Sequence, residues 1–543
     1  MLSLIAPLAL LGLAEAAAIL PRATVTITVS VSTTSSVPQY FQTTPELFAG
    51  PTATGPEPFL AETDTVLQTT GSYVPPHPLQ TKEVIPDNPT DGNIFEHMGN
   101  LSPYFNSPGF GVDEYPLPEG SEIVWLNMIS RHGSRYPTDP IKLGSAIANV
   151  SGSAKFTGSI SFLNTWKYTE GINILSPWGR QELYDSGVLH NYEYGHLYDP
   201  NSGKKIIARS TTMDRMVKSA ENFLSGFFGL SWQNNATLEL IIDETGFNNS
   251  LAGYNACPNN QNVSSAAGAN ASELWQSIYL KNATDRLNSM STGFNWTTSY
   301  AYDAQPLCAY ETVNDGFSKF CDLFTYEEWL YFEQAIDLEF AGTFGFQSPT
   351  GRAVGVGYVE EVLARINHHL ITTATGSDNV TLDSMKSTFP VYQNLNLDFS
   401  HDVNIASVIT AFGLKQFAPF FPATSYSPNR SLIVSHMEPF GARLDIEIID
   451  TPKPVCADRS NSGNQYEDGE PKKYIHFILN QRTIPLGKSF PSCGQRADGW
   501  CELQTFLKTQ ADAMQQSDYN FACNGNYTPP KYGEVSNGAP PTS

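Results

Sequence analysis

Three short apolar runs, far apart in the chain, each end in a cluster of charged or histidine side chains. The first is Ile123-Val124-Trp125-Leu126-Asn127-Met128-Ile129, followed by Ser130-Arg131-His132-Gly133-Ser134-Arg135-Tyr136-Pro137. The second, Lys205-Ile206-Ile207-Ala208, ends at Arg209-Ser210-Thr211. In the third, Leu395, Leu397 and Phe399 alternate with polar residues and lead to Ser400-His401-Asp402. Runs this short suit strands, not helices. A glycine and a proline break the pattern after the first. Helical patterns follow the other two, with Met216, Ala220, Phe223, Leu224, Phe227 and Phe228 on one face and 403–414 helical throughout. Strands alternating with helices at both ends, around a mainly helical middle, predict an α/β domain with a helical insertion. In open α/β sheets ligands bind beyond the carboxyl ends of the strands, where these clusters fall.

The chemistry of the first cluster fits an anion. Two guanidiniums, Arg131 and Arg135, offer forked donors to phosphate or carboxylate oxygens. The imidazole of His132 between them is a nucleophile or proton carrier. Alone, an Arg-His-Gly triplet fits an ordinary surface loop at least as well, and Arg209 alone reads as an ordinary surface arginine.

The totals narrow the setting. A chain of 543 residues with 41% hydrophobic residues can bury a large core. Its net charge of -23 argues against nucleic-acid binding, and an anionic ligand must meet a local basic cluster. Low pH relieves the repulsion by protonating carboxylates. Residues 2–13 are apolar and Ala14-Glu15-Ala16 forms a small-x-small site, so 1–17 read as a signal peptide. Secretion suits the seven cysteines, none in a C-x-x-C pair, and the eleven N-x-[ST] sequons, which predict N-linked glycans. Asn100 is the doubtful one, because Pro103 follows its serine. No later run is long enough to span a bilayer.

Residues 18–93 are rich in Thr, Ser and Pro and read as a leader, disordered or processed. The catalytic domain is expected over 94–526, with the helical insertion over roughly 216–380 and a polar tail over 527–543. Six of the eleven sequons fall between Asn235 and Asn295, as in a solvent-facing insertion. Thr325 to Phe340 opens on a capping-box pattern, Thr325 to Glu328. A further helix is expected near Tyr358 to Ile371. Its His368 and His369 are adjacent and point apart, which argues against a shared metal. Strands are expected over Leu432–Val434, Leu444–Ile448 and Tyr474–Leu479.

Together, the Arg131 to Pro137 motif and His401-Asp402 resemble the histidine acid phosphatase family, branch two of the histidine phosphatases, which includes fungal phytases and secreted acid phosphatases. The resemblance runs from about His97 to Cys523. It includes Asn100-Leu-Ser-Pro-Tyr-Phe105, Arg209-Ser210-Thr211 and Glu438-Pro-Phe-Gly-Ala-Arg443 in the family's order. It implies a phosphoglycerate-mutase-like α/β sandwich with an inserted, mainly helical subdomain, acting on small phosphorylated substrates without cofactor or metal. His132 matches the nucleophile that forms a phosphohistidine. Arg131, Arg135 and Arg209 match the phosphate-binding arginines, His401 the second histidine, and Asp402 the acid that protonates the leaving oxygen. Transferring phosphoryl groups spread charge over their oxygens, so fixed cations suit them. A leaving alkoxide needs a proton, which a carboxylic acid supplies.

The resemblance also implies disulfides Cys308–Cys321, Cys493–Cys501 and Cys257–Cys523, leaving Cys456 over. Fungal phytases carry a lysine-rich segment after the nucleophile motif, but here Thr138 to Gly144 holds only Lys142. That departure favours a broad acid phosphatase or a weaker phytase. Two other readings stay open at this point: a catalytically silent secreted or cell-wall glycoprotein, and a metal-dependent phosphohydrolase that uses the His-Asp pair as ligands.

Overall fold

The computed structural model describes residues 92–261, 265–459 and 465–541. The expected signal peptide and nearly all of the expected leader lie outside them. An eight-stranded sheet forms the centre. Its strands are β1 (Glu122–Arg131), β2 (Ile206–Thr211), β3 (Ala236–Ile241), β4 (Leu395–Ser400), β5 (Arg443–Thr451), β6 (Lys472–Leu479), β7 (Arg482–Thr483) and β8 (Cys501–Glu502). They run in the order β8-β6-β5-β1-β4-β2-β3, with β7 on β6. β1, β4, β2 and β3 are mutually parallel, whereas β5 pairs antiparallel with β1, and β6 antiparallel with β5.

Register decides what the sheet edge presents. Arg131 pairs with Ser400, and Ser210 pairs with Phe399. The carboxyl ends of β1, β4 and β2 therefore finish side by side, and β3 ends beside them with Thr211 opposite Ile241. Four strands that share direction and register turn distant pieces of sequence into one row.

Helices cover both faces. On one face α1 (Pro177–Tyr194) and α2 (Asp214–Phe228) pack on β1, β2 and β4, with Leu183, Phe223, Phe227, Leu126, Leu397 and Phe399 buried together. On the other, α6 (Gly351–Ile366), α7 (Asp402–Phe412) and α8 (Leu503–Gln515) join a core that includes Trp125, Ile129, Ile409, Phe412, Phe477 and Phe506. Between β3 and α6 lie α3 (Ser265–Tyr279), α4 (Thr298–Asp315) and α5 (Tyr326–Thr343). α5 carries the expected capping box, with Thr325 Oγ1 accepting from Glu328 N–H and Glu328 Oε2 accepting from Thr325 N–H.

The insertion is narrower than 216–380. α2 and α6 belong to the layers of the sandwich, and 236–241 is a sheet strand, not part of a solvent-facing insertion. That strand escaped because it is an edge, buried only at Ala236 and Ile241, so its pattern is mixed. The strand expected at Leu432–Val434 is instead the approach to a short helix at Val434–Met437. The helix expected at Tyr358–Ile371 starts earlier and ends at Ile366. His368 follows in the left-handed region, with Nδ1 donating to the Val391 carbonyl at 2.6 Å.

The stretch after 526 is not a free tail. Arg352 N–H donates to Gly538 O at 2.8 Å, and Val535 and Ala539 are buried. Disulfides join Cys257 to Cys523, Cys308 to Cys321 and Cys493 to Cys501, and Cys456 lies outside them.

Candidate active site

His132 follows directly from β1 and is buried. Its loop runs against the first turn of α1, where a Cβ on Gly133 would lie 2.2 Å from the Gly179 carbonyl. Only glycine admits that approach. Ser176, the N-cap of α1, donates to Ser134 O at 2.9 Å and accepts from Gly179 N–H. Glu182 of α1 accepts from Ser134 N–H at 2.6 Å and from Ser134 Oγ at 3.0 Å. The loop is thus pinned by a helix end, and His132 with it.

The imidazole has one defined tautomer. Nδ1 lies 2.9 Å from the Gly133 carbonyl, which can only accept. Nδ1 therefore carries the proton and Nε2 keeps its lone pair. Burial lowers the His132 pKa well below the ordinary range, and Arg131, Arg215, Arg135 and His401 lower it further. The ring stays neutral in acid, which an imidazole nucleophile requires.

Three guanidiniums surround it electrostatically: Arg131, Arg135 and Arg215. Arg131 Nη1 donates to the carbonyls of Asn100 and Glu438, at 2.5 and 2.8 Å, and its plane lies over Phe440. Arg135 Nη1 donates to Tyr136 O at 2.8 Å. Arg215, in the first turn of α2, donates to Asn173 Oδ1 and from Nη2 to His401 Nδ1 at 3.5 Å. The buried Nε atoms of all three have no hydrogen-bond partner among the described residues. Burial lowers the Arg215 pKa to about 10, with Arg135 as the next cause. Buried guanidiniums with unfilled N–H groups beside an imidazole suit an oxyanion.

Arg209 is not part of that group. It is buried with Nε on Asp398 Oδ1 at 2.8 Å and Nη2 on Glu361 Oε2 at 2.6 Å. Arg365 and the Tyr358 hydroxyl bind the same Asp398. With two carboxylates on one guanidinium, the cation is consumed inside the sandwich. The structure does not bring Arg209 to His132; Arg215, six residues later, is the arginine beside His401. The strand-end rule chose an inward-facing residue on β2, whereas Arg215 sits on the helix that follows.

β4 supplies the other half. His401 is the N-cap of α7 and Asp402 its first residue. The His401 and His132 rings are 5.9 Å apart between centroids. His401 Nε2 donates to Asp243 Oδ2 at 2.8 Å, which leaves Nδ1 to accept from Arg215. Burial lowers the His401 pKa against the pull of Asp243. Asp243 is itself held by the Asn255 amide at 2.6 Å. Sequence reasoning missed this residue; it stands two positions past the end of β3, where the same strand-end rule would have found it had β3 been recognised.

Asp402 lies among donors. Oδ2 is 2.7 Å from Arg131 Nη2 and accepts from Asn100 Nδ2 at 2.8 Å, and Oδ1 accepts from Val403 N–H. The Asn100 sequon thus falls inside the site, with its amide nitrogen engaged. Burial pushes the Asp402 carboxyl up, but Arg131, Asn100, Arg135 and the helix N–H outweigh it and hold it below the usual range. Glu438 behaves oppositely: burial first, then the charge of Asp402, pushes its carboxyl well above the usual range.

A cavity of about 430 Å³ borders the β4 side of the site, lined in part by Arg215, Tyr254, Thr343, Phe344, His401 and Asp402. Among the described residues no group of three or more His, Cys, Asp or Glu side chains is arranged to hold a metal.

The sequence profile of the histidine phosphatase superfamily (branch 2) matches residues 122–480. Phytase A of Arthroderma benhamiae is 30% identical over 446 residues, covering 78% of this chain and 91% of that protein. Phytase A of Aspergillus oryzae is 28% identical over 438 residues, covering 76% and 86%. Among solved structures, the phytase from D. castellii superposes with a TM-score of 0.63 at 22% identity, covering 81% of this chain and 89% of that one, and shares its fold. With the profile spanning both β1 and β4, the chain belongs to branch 2 of the histidine phosphatase superfamily.

Proposed function

We propose that the protein is a secreted acid phosphomonoesterase working through a phosphohistidine. One observation carries this: His132, neutral and with its Nε2 lone pair available, is ringed by three arginines with unfilled N–H groups, and Asp402 is ion-paired to one of them. Arg131, Arg135, Arg215 and His401 take the phosphoryl oxygens. Nε2 of His132 attacks phosphorus, the P–N bond forms as the P–O ester bond breaks, and Asp402 gives its proton to the departing oxygen. Water then attacks the phosphohistidine, Asp402 takes a proton from it, and phosphate and free His132 are regenerated.

Asp402 must be protonated for the first step although Arg131 holds it as the anion. Bound phosphate supplies the remedy, because its negative charge competes for Arg131 and raises the Asp402 pKa. Acid conditions complete it.

The surroundings of the site bear on substrate choice. Lys142 faces Asp303 electrostatically, so the one lysine after the nucleophile motif is partly neutralised. Near Tyr136, burial pushes Glu170 up to about 7, with Asp315 and Glu311 adding to the shift. Glu339, exposed one helical turn before Thr343 on α5, adds a further carboxylate. Carboxylates here suit esters with a single phosphate, and admit polyanions such as phytate mainly at low pH, when they are protonated.

The test is hydrolysis of p-nitrophenyl phosphate and of phytate at pH 4–7 with EDTA present. Activity with chelator, abolished by His132→Ala, supports the proposal. Activity lost to EDTA, or surviving His132→Ala, overturns it.

A further inference from the structure

Away from the catalytic cleft, Arg352 is a buried cation without an anion. It is the second residue of α6, and its guanidinium donates only to carbonyls: Nε to Asn537 O at 2.6 Å and Nη1 to Ala411 O at 3.3 Å. Nη2 has no hydrogen-bond partner among the described residues. Burial alone lowers its pKa, to about 10, and no carboxylate acts against that shift. Arg209, equally buried, has Asp398 and Glu361. Arg430 has Glu333 and Asp337. Arg352 has no such pair among the described residues.

A cavity of about 420 Å³ has Arg352 in its wall. Lys415 and Lys508 also line it, both exposed, with the hydroxyls of Ser489 and Thr509 and a single carboxylate, Asp512. In a chain of net charge -23, three cations against one carboxylate is a local reversal of sign. The helices do not explain the arginine. Near the N-terminus of α6 a cation is disfavoured, and the Ala411 carbonyl at the far end of α7 offers only a partial negative charge. A buried guanidinium left in that state is costly unless a counter-charge arrives.

We propose that this cavity is a second anion site, separate from the catalytic one, taking a tetrahedral oxyanion of the phosphate class. Arg352 Nη2 supplies a fixed donor, and Lys415 and Lys508 supply mobile charges. The cavity is larger than one phosphate, so the phosphoryl end of an ester fits as well as the free ion. Arg352 also holds the carboxyl end of α7, whose first residue is Asp402. An anion bound here braces the helix that carries the catalytic acid.

Calorimetric titration of the full chain with inorganic phosphate at pH 5 and low salt tests the site. Two phosphates per chain are expected. Lys415→Ala/Lys508→Ala, which changes only exposed side chains, removes one of them, and Arg215→Ala removes the other. A phosphate lost only with the lysine pair belongs to the cavity; one lost only with Arg215 belongs to the catalytic cleft, so the two assignments fail separately. Repeating the titration with phenylphosphonate, which cannot be hydrolysed, separates the sources. Binding of phosphate alone in the cavity identifies the free product, and binding of both identifies an ester's phosphoryl end. Phosphate binding whose stoichiometry is unchanged by loss of both lysines overturns the proposal.

Discussion

Arg131 Nη2 lies 2.7 Å from Asp402 Oδ2, joining residues 271 positions apart at the ends of two adjacent parallel strands. The pair couples phosphate binding to proton supply: whatever draws Arg131 toward a phosphoryl oxygen loosens its hold on the Asp402 proton site. Replacing the acid separates those roles. Asp402→Asn should lower kcat for an alkyl phosphate by about 100-fold or more, the usual worth of a general acid. The loss should be much smaller for p-nitrophenyl phosphate, whose leaving group needs little protonation. Equal losses on both substrates would place Asp402 outside proton transfer.

Asp243 orients His401. The carboxylate accepts the Nε2 proton at 2.8 Å, which turns the Nδ1 lone pair toward Arg215. In Asp243→Asn the amide NH₂ can donate to Nε2, moving the ring proton to Nδ1, against the guanidinium. A drop in kcat on the order of tenfold or more follows from the wrong tautomer. Asp243→Glu should restore part of it. An unchanged kcat would show that the ring needs no such anchor.

Arg209 and Arg215 should separate cleanly. Arg209→Ala leaves Asp398 and Glu361 buried and short of a counter-charge, so it should destabilise the fold by about 3–5 kcal/mol. Arg215→Ala removes a cation from a cavity wall, so it should keep the melting temperature near that of the wild type while raising KM and the inhibition constant for phosphate. Urea denaturation and inhibition by phosphate check both. The reverse pattern would return the phosphate-binding role to Arg209.

Stability should be greatest on the acid side. Burial pushes the carboxyls of Asp378 and Asp383 up, helped by neighbouring Glu360 and Glu361, and Glu170 is raised to about 7. In the unfolded chain these groups ionise near pH 4. A raised folded pKa therefore costs stability progressively as pH rises from about 4 toward 8. Asp398 and Asp402, held low, act in the opposite direction and only below about pH 4. Thermal unfolding at pH 5 and pH 8 should show the higher midpoint at pH 5, with a smaller difference in Asp383→Asn. A midpoint at pH 8 equal to or above that at pH 5 contradicts this.

The ratio of phytate to p-nitrophenyl phosphate turnover should fall as pH rises toward 7, where Glu170 ionises. Glu170→Gln should flatten that fall without changing p-nitrophenyl phosphate turnover at pH 4.5. A ratio independent of pH would remove this carboxylate from substrate selection.

The strand ends were legible in the sequence because a buried parallel strand reads as an apolar run and the reactive residues follow it directly. The strand ends put His132, His401 and Asp402 at the edge of a sheet, and the resemblance to the family joined them into one site. Arg209 misled because the same pattern cannot tell which side of the sheet a strand residue faces. Its answer lies in Asp398 and Glu361, which are remote in sequence. Asp243 was hidden because its strand is an exposed edge with a mixed pattern. The unpaired state of Arg352 depends on groups that are absent from its surroundings, which no local pattern records.

The most direct test of the mechanism is acid quench during turnover of ³²P-labelled phosphate ester, followed by mapping of the labelled residue. The label should be acid-labile, base-stable and on His132, accumulating in Asp402→Asn with p-nitrophenyl phosphate if that variant slows hydrolysis of the phosphohistidine. Label on an Asp or Ser, or no covalent label under conditions of full turnover, would contradict the phosphohistidine.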